Sequence, residues 1–269
     1  MLPNFKVSQI SAGNQYTVII DLENNVWSFG YGKFGQLGLN DDKNCNTPTK
    51  IPNLKNQQIS TGTHHTTILD LNNKLWTCGY NEYGQLGVKN DIFIHSPVLI
   101  QAVAFKQVVV GTFHTVALDI NDNVWTFGSN TCGQLGLGDY NDRHQPTQIT
   151  NLKAKYITAG TYHTLVIDLK DNLWLFGYNS NGQLGLGDFI NRNLPTSIIG
   201  LKAKQVSTNT ITTAIIDVDN NIWTCGENRY KQLGYHTDYK NRPTIIPNFK
   251  ASQVSVGESY TLIIGTKII

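Results

Sequence analysis

Short apolar runs alternate with polar turns along the chain. The runs "HTLVID" at His163–Asp168 and "LWLFG" at Leu173–Gly177 are rich in the aliphatic, β-branched and aromatic residues that favour strands. Asp171–Asn172 lies between them, and Asn and Asp tolerate the positive φ of a tight hairpin turn. "KYITAG" before this pair and "PTSII" from Pro195 onward predict two more strands. No segment keeps the period of an amphipathic helix, so the pattern predicts a four-stranded antiparallel unit.

This unit recurs every 49 residues. Three features mark the same place in each copy: a tryptophan, an aspartate at the end of the second strand, and a Gly-Gln-Leu-Gly phrase that becomes Lys-Gln-Leu-Gly in the fifth copy. The tryptophans are Trp27, Trp76, Trp125, Trp174 and Trp223, the aspartates are Asp21, Asp70, Asp119, Asp168 and Asp217, and the phrases begin at Gly35, Gly84, Gly133, Gly182 and Lys231. Four short strands repeated at this interval predict a β-propeller.

The two ends of the chain look like parts of one further blade. "LPNFK" at Leu2–Lys6 resembles Ile51–Lys55, the end of a fourth strand, and "QVSVGESYTLIIG" at Gln253–Gly265 reads as a first and second strand. Joining them would remove the unpaired strand edges that an open arc exposes. We therefore expect an all-β single domain over residues 1–269, with five repeats and a composite sixth blade completed by both termini.

Composition and charge narrow the function classes. The 269 residues are 40% hydrophobic and 15% charged, with a formal net charge of +2. This near-neutral balance does not favour direct nucleic-acid binding or an anionic membrane as partner.

The N-terminus lacks the pattern of a signal peptide, and no apolar stretch reaches transmembrane length, so we expect a cytoplasmic or nuclear protein. The four cysteines are too few and too dispersed for a disulfide scaffold. We expect free thiols and a monomer.

The repeated unit "G-x-x-H-T-x-x-x-D…V-W-x-F-G-x-N-x-x-G-Q-L-G" resembles that of the regulator of chromosome condensation family, and the resemblance runs from Gln9 to Gly257. It implies a β-propeller, normally of seven blades, so six blades would be a departure. It also implies a face that binds another protein. The name-giving member is a nucleotide-exchange factor for the small GTPase Ran and is associated with chromatin. Guanine-nucleotide exchange and chromatin association are therefore alternatives to a plain interaction module.

The repeated motifs indicate a structural role rather than catalysis or metal binding. Glycines permit unusual backbone angles, the glutamine can bond its own loop, and the leucine can fill the space between blades. The histidines His65, His114 and His163 share one repeat position, but Tyr16 and Thr212 occupy it elsewhere, which favours hydrogen bonding over a metal site. The aspartates lie in separate blades, which argues against an acid–base pair. We expect no enzyme activity, no metal and no cofactor.

The variable loops predict a binding face. Strands that alternate in direction bring the first turn and the long third connection of each blade to the same side, and loops on a rigid frame commonly carry recognition. Aromatic and arginine side chains on these loops suit contact with an unidentified protein, with a small GTPase as one option. The candidate residues are His64, Tyr83, Phe93, Phe113, Tyr140, Arg143, Tyr162, Phe189, Arg192, Arg229 and Tyr230.

Overall fold

The computed structural model describes residues 6–89 and 91–267, whose regular elements are all strands. The first ten are β1 (Val7–Ala12), β2 (Tyr16–Asp21), β3 (Asn25–Gly30), β4 (Cys45–Thr61), β5 (His65–Asp70), β6 (Leu75–Tyr80), β7 (Phe93–Leu99), β8 (Phe105–Val110), β9 (His114–Asp119) and β10 (Asn123–Gly128). The others are β11 (Arg143–Ala159), β12 (His163–Asp168), β13 (Asn172–Gly177), β14 (Arg192–Thr208), β15 (Thr212–Asp217), β16 (Asn221–Glu227), β17 (Tyr239–Val256) and β18 (Thr261–Lys267). The all-β prediction is confirmed.

The strands hydrogen-bond in chain order, β1 to β7 in one series and β8 to β18 in the other. Strands β4, β11, β14 and β17 each extend over 17 or 18 residues. The first half of such a strand is the fourth strand of one blade, and the second half is the first strand of the next. The sequence placed the end of a fourth strand at Ile51–Lys55, but β4 continues through these residues into the first strand of the next blade. Asn53 bends β4 without ending it, because its φ of 61° is positive.

The chain forms two compact units. Unit 1 comprises residues 1–129 and 141–150, and unit 2 comprises residues 130–140 and 151–269. Unit 1 contains blade 1 (β1–β3 and the first half of β4), blade 2 (the rest of β4 and β5–β7) and blade 3 (β8–β10 and the first half of β11). Unit 2 contains blade 4 (the rest of β11, β12, β13 and the first half of β14), blade 5 (the rest of β14, β15, β16 and the first half of β17) and a terminal hairpin made by the end of β17 and β18. The composite blade stays a prediction, because residues 1–5, which carry most of "LPNFK", lie outside the described residues.

A carboxylate fixes the tight turn between the second and third strands of each blade. In blade 3, Asp119 Oδ1 accepts the N–H groups of Asn121 and Asn123, both at 2.8 Å. Its Oδ2 accepts the Asn123 side-chain amide at 2.7 Å and the Trp125 indole N–H at 3.0 Å. Asp122 takes the positive φ of the turn, 68°. Desolvation raises the pKa of Asp119, but these hydrogen bonds outweigh it, so the pKa is lowered. The structural role predicted for the aspartates is confirmed.

Neighbouring blades pack the second strand of one blade against the first and second strands of the next. Val18 and Ile20 of blade 1 lie in one buried cluster with Ile59 and Ile68 of blade 2, and Leu37 from the Gly-Gln-Leu-Gly loop fills the space between them. In unit 2 an equivalent cluster joins blades 4 and 5 and includes the equivalent leucine, Leu184. Each such fully buried aliphatic side chain contributes about 1.5–3 kcal/mol. The predicted role of the loop leucine is confirmed.

Candidate interaction surface

The glutamine of the Gly-Gln-Leu-Gly phrase stabilises its own loop through hydrogen bonds. In blade 2 the buried Gln85 accepts the backbone N–H of Tyr83 on its Oε1 at 3.0 Å. Its backbone carbonyl accepts the hydroxyl of Thr115 in the next blade at 2.8 Å. The residue two places before the glutamine is thereby held at the loop tip, and its identity changes from blade to blade. These tip residues are Phe34, Tyr83, Cys132, Asn181 and Tyr230.

The first turn and the start of the third connection meet at the same end of each blade. The N–H of Tyr80, at the end of β6, donates to the carbonyl of His64 in the first turn at 2.9 Å. Equivalent bonds join Ser129 to Phe113 at 2.8 Å and Tyr178 to Tyr162 at 2.9 Å. The loops that vary most in sequence are therefore fixed side by side by main-chain hydrogen bonds.

In unit 1 these loops bring seven rings into one continuous network, which we call the aromatic surface. Its members are Tyr31, Phe34, His64, Tyr80, Tyr83, Phe93 and Phe113. Phe34 and Tyr80 each contact four other rings, and Phe34 lies at ring-centroid distances of 4.3 Å from His64, 5.7 Å from Phe93 and 5.8 Å from Tyr80. Phe113 extends the network into blade 3, at 5.3 Å from Tyr83 and 6.1 Å from Tyr80.

The aromatic surface is partly exposed and carries little charge. Phe93 is 40% exposed, and the other six rings are half-buried. The Tyr80 hydroxyl donates to the Glu82 carboxylate, which satisfies the polar end of that ring. Desolvation lowers the pKa of His64, which favours its neutral imidazole. The arrangement therefore offers apolar ring faces with polar edges, the composition of protein-binding hot spots.

Unit 2 carries a smaller aromatic group. Phe189 and Tyr239 meet edge to face at 5.5 Å and line an open pocket of about 440 Å³ together with Arg229 and Asp238. The predicted cations there have acidic partners: Arg192 Nη2 lies 2.6 Å from Asp188 Oδ2, and Arg229 Nε lies 2.7 Å from Glu227 Oε1. Because each cation is paired with a carboxylate, these two arginines add little net positive charge to this surface.

The structure thus groups the candidate residues unevenly. His64, Tyr83, Phe93 and Phe113 lie together in the aromatic surface, whereas Phe189 and Arg229 share the unit 2 pocket. The other candidates are not members of the aromatic surface. Tyr140 and Tyr230 are 53% and 70% exposed, Tyr162 packs on Tyr178 at 6.4 Å, and Arg143 donates to the carbonyl of Asn141 at 2.7 Å.

Sequence reasoning missed Tyr31, Phe34 and Tyr80. A signal was present, because Phe34 occupies the same repeat position as the two candidates Tyr83 and Tyr230. Tyr31 and Tyr80 also share a repeat position with each other, at the end of the third strand: Tyr31 directly follows β3, and Tyr80 is the last residue of β6.

The repeated histidines lie in the interior. His65 and His114 are fully buried, and burial lowers the pKa of each to about 3, so both are neutral. His65 Nε2 lies 3.2 Å from Thr115 Oγ1, which confirms the predicted hydrogen-bonding role.

Within residues 6–89 and 91–267, no group of three or more His, Cys, Asp or Glu side chains is arranged to hold a metal ion. All four cysteines are free thiols. The described residues also contain no helix with the length and hydrophobicity needed to cross a bilayer.

Solved structures show the same fold. Human WBSCR16 is 22% identical, with a TM-score of 0.86 over 98% of this chain and 75% of that one. Yeast RCC1 (Prp20) bound to Kap60 is 20% identical, with a TM-score of 0.87 over 99% and 67%. Prp20p from Saccharomyces cerevisiae, solved with a study of its binding to Gsp1p and histones, is 21% identical, with a TM-score of 0.84 over 98% and 69%. The predicted β-propeller is confirmed, and this chain spans two thirds to three quarters of these proteins.

Sequence comparisons agree with the structural ones. No curated protein gives a significant match. The profile of the regulator of chromosome condensation (RCC1) repeat matches residues 23–69, 72–118, 121–167, 170–212 and 219–264, and a second profile of this repeat matches 7–36, 57–85 and 105–134. The five matches of the first profile cover most of the chain, so the chain belongs to the regulator of chromosome condensation (RCC1) repeat family.

Proposed function

We propose that this chain is a non-catalytic protein-interaction module that binds its partner through the aromatic surface of unit 1. The observation that carries the proposal is the unbroken contact network of seven rings from three successive blades. Large aromatic side chains dominate the binding energy of protein interfaces because they bury much area while losing few rotamers. The rings already pack on one another, so binding would order few additional side chains.

The hydrogen-bonded frame supports a pre-organised surface. Gln36 and Gln85 hold the tips that carry Phe34 and Tyr83 through bonds of 3.0 Å each. Backbone bonds fix His64 and Phe113 beside them. Recognition that uses rigid elements needs little rearrangement, which lowers the entropic cost of association.

Capture from cell extract followed by quantitative mass spectrometry tests this proposal. Wild-type protein, Phe34→Ala, Phe113→Ala and the matched control Phe189→Ala serve as baits, because Phe189 is a 43% exposed phenylalanine in unit 2. We expect one set of proteins to be lost from the first two variants and kept by the control. Equal capture by all four baits, or loss from Phe189→Ala alone, contradicts the proposal. Thermal unfolding of each bait checks that the variants fold.

Guanine-nucleotide exchange is the second candidate function. It is favoured by the likeness to Prp20p, which was studied for binding to Gsp1p, although 21% identity carries only the fold. Small GTPases loaded with fluorescent GDP provide the assay. Accelerated nucleotide release that Phe34→Ala abolishes would make exchange the activity of the aromatic surface. If every GTPase releases its nucleotide at the basal rate, the result contradicts the exchange hypothesis and favours a non-catalytic interaction module.

Chromatin association is the other alternative, since the same study of Prp20p concerned histones. The assay is retention on immobilised nucleosomes at physiological salt. Retention that is lost on Arg143→Ala or Arg192→Ala would favour it over the aromatic surface. The ion pair of Arg192 with Asp188 argues against a strong phosphate or acidic-patch contact at that position.

A further inference from the structure

The loops of blades 4 and 5 leave a pocket at a place where an aromatic ring fills the equivalent loops of blades 1 and 2. In unit 1 the Phe34 ring lies 5.8 Å from the Tyr80 ring and 5.7 Å from the Phe93 ring. Three repeats further along the chain, Asn181 occupies the position of Phe34. Because the asparagine side chain is smaller and has no ring, space remains beside it, and Asn181 lines the unit 2 pocket of about 440 Å³.

The strand pairing is the same at both places, so the two sites can be compared position by position. Tyr80 at the end of β6 pairs with Phe93 at the start of β7. Glu227 at the end of β16 pairs with Tyr239 at the start of β17. The unit 2 pocket therefore keeps one aromatic wall, Tyr239, but has a carboxylate where the aromatic surface has the Tyr80 ring.

Two aromatic rings form walls of the unit 2 pocket. Phe189 and Tyr239 meet edge to face at 5.5 Å, and they are 43% and 59% exposed, so a ligand in the pocket can contact both rings. Accessible aromatic faces attract cations, and they stack well with planar groups.

Carboxylates determine the charge of the pocket. Its lining contains two of them, Glu227 and Asp238, but only one cation, Arg229, so the lining is negative overall. The Glu227 side chain is only 13% exposed, and its Oε1 lies 2.7 Å from Arg229 Nε. Among the described residues, none donates a hydrogen bond to its other oxygen, Oε2. A largely buried carboxylate with one oxygen unpaired favours the binding of a further donor.

The cations beside these carboxylates are held weakly. The Arg229 side chain is 77% exposed. Lys231 Nζ lies 3.3 Å from Asp238 Oδ1, and these two side chains are 52% and 76% exposed. Ion pairs of exposed side chains contribute little to stability, so an incoming cation can displace either one at small cost.

We propose that the unit 2 pocket binds the arginine side chain of a partner polypeptide. The planar guanidinium takes the space that the Phe34 ring fills in unit 1, stacks on Tyr239 and donates to Glu227 Oε2. Lysine fits less well, because its ammonium is compact, strongly hydrated and not planar. An arginine within a peptide is favoured over free arginine, because the α-carboxylate of the free amino acid would be repelled by the negative lining.

The unit 2 pocket is separate from the aromatic surface, because none of its lining residues belongs to the seven rings. One side chain in an open pocket gives a dissociation constant of roughly 1 mM, which is too weak to retain a protein from cell extract. The Phe189→Ala bait therefore remains a valid control for the aromatic surface, and the two proposals can fail independently.

NMR titration of ¹⁵N-labelled protein with the capped tripeptide Gly-Arg-Gly, up to about 20 mM, tests the proposal. We expect saturable shifts of the Phe189, Glu227 and Tyr239 amides. Replacing the arginine of the peptide by citrulline, which keeps the shape without the charge, or by lysine should weaken binding at least about fivefold. Free arginine should bind less tightly than the capped peptide, and equal binding would overturn the assignment to a polypeptide.

Three variants test the role of each part of the pocket. Glu227→Gln removes the charge and keeps the shape, so it should weaken binding at least about fivefold. Asn181→Phe, which copies Phe34, fills the pocket and should abolish the shifts. Arg229→Ala removes the competing guanidinium and should strengthen binding about twofold. Glu23→Gln, at an exposed carboxylate in the tight turn of blade 1, is the matched control. Thermal unfolding checks that each variant folds.

Several results would overturn the proposal. These are the absence of saturable shifts at the pocket amides, equal binding of the citrulline peptide, and undiminished binding by Glu227→Gln. Loss of binding on Arg229→Ala, or tighter binding of a capped Gly-Glu-Gly peptide at the same amides, would also overturn it, because the pocket would then take an anion through Arg229. If Asn181→Phe does not fold, the comparison of Glu227→Gln with Glu23→Gln still decides.

Discussion

Replacing Asp119 by alanine tests whether the carboxylate at the end of β9 holds the frame of blade 3. Asp119 is 1% exposed and accepts four hydrogen bonds of 2.7 to 3.0 Å, two from backbone amides and two from the side chains of Asn123 and Trp125. Bonds to a charged acceptor contribute about 1.5–3 kcal/mol each, and a buried donor left unpaired costs about 1–3 kcal/mol.

Access of water to one side of the turn limits how much stability Asp119→Ala loses. Asn121 is exposed, so water can replace the carboxylate at its N–H, whereas the half-buried indole of Trp125 has less access to water. We therefore expect Asp119→Ala to lower the free energy of unfolding by about 2–4 kcal/mol. Asp119→Asn keeps one acceptor oxygen and the shape of the side chain, and it should lose about half as much.

Repeat proteins can unfold in parts, so the assay needs local resolution. Urea unfolding followed by tryptophan fluorescence gives the overall change, and native-state hydrogen exchange of the β9 and β10 amides gives the local one. Asp42→Ala, at an exposed loop position, is the matched control and should change stability by less than about 0.5 kcal/mol. An Asp119→Ala protein as stable as this control would refute the structural role of the turn.

Two further predictions concern pH and backbone strain. Burial lowers the folded-state pKa of His65 to about 3 from its ordinary 6.5, so the unfolded chain binds more protons and stability falls as pH decreases from 6.5 towards 3. His65→Tyr, which copies Tyr16 of blade 1, should reduce this loss in urea unfolding between pH 7 and 4; an unchanged pH slope would contradict it. Gly84→Ala and Gly200→Ala both place alanine at positive φ, 83° and 82°, but the new Cβ lies 2.4 Å from His144 Cα in the first and meets open space in the second. The first should lower the thermal unfolding midpoint more, because its clash adds to a shared strain of about 1–2 kcal/mol; equal midpoints would show that the loop tolerates the clash.

The blade structure was predictable because the hydrogen bonds that stabilise its turns and loops are local and recur from repeat to repeat. Asp119, Trp125 and the tight turn between them interact within seven residues, and the Gly-Gln-Leu-Gly glutamine bonds a backbone group two places away. Because these interactions join residues close in sequence, each repeat has the same residues at equivalent positions, and the pattern can be recognised in the sequence. The continuation of β4 beyond Lys55 was not predicted because Pro52 and Asn53 are residue types typical of turns, whereas here Asn53 at positive φ only bends the strand.

The aromatic surface was only partly predictable because it depends on packing between blades. Phe34 meets His64 and Phe93 of the next blade, contacts that no periodicity within a blade encodes. The repeat position of Phe34 nevertheless carries a sequence signal, since it holds Phe and Tyr in blades 1 and 2 but Cys132 and Asn181 in blades 3 and 4. Comparing loop-tip residues between adjacent repeats would have indicated that only blades 1 and 2, among neighbouring blades, both carry an aromatic tip, since Tyr230 of blade 5 follows Asn181.

The most direct test of the proposed interaction module is a calorimetric Kd with the purified protein captured by the wild-type bait. We predict that Phe34→Ala weakens binding about 30-fold, the equivalent of about 2 kcal/mol, because Phe34 contacts four other rings of the aromatic surface. Phe189→Ala should leave the Kd within about twofold of wild type. A Phe34→Ala protein that folds and binds as tightly as wild type would contradict the account.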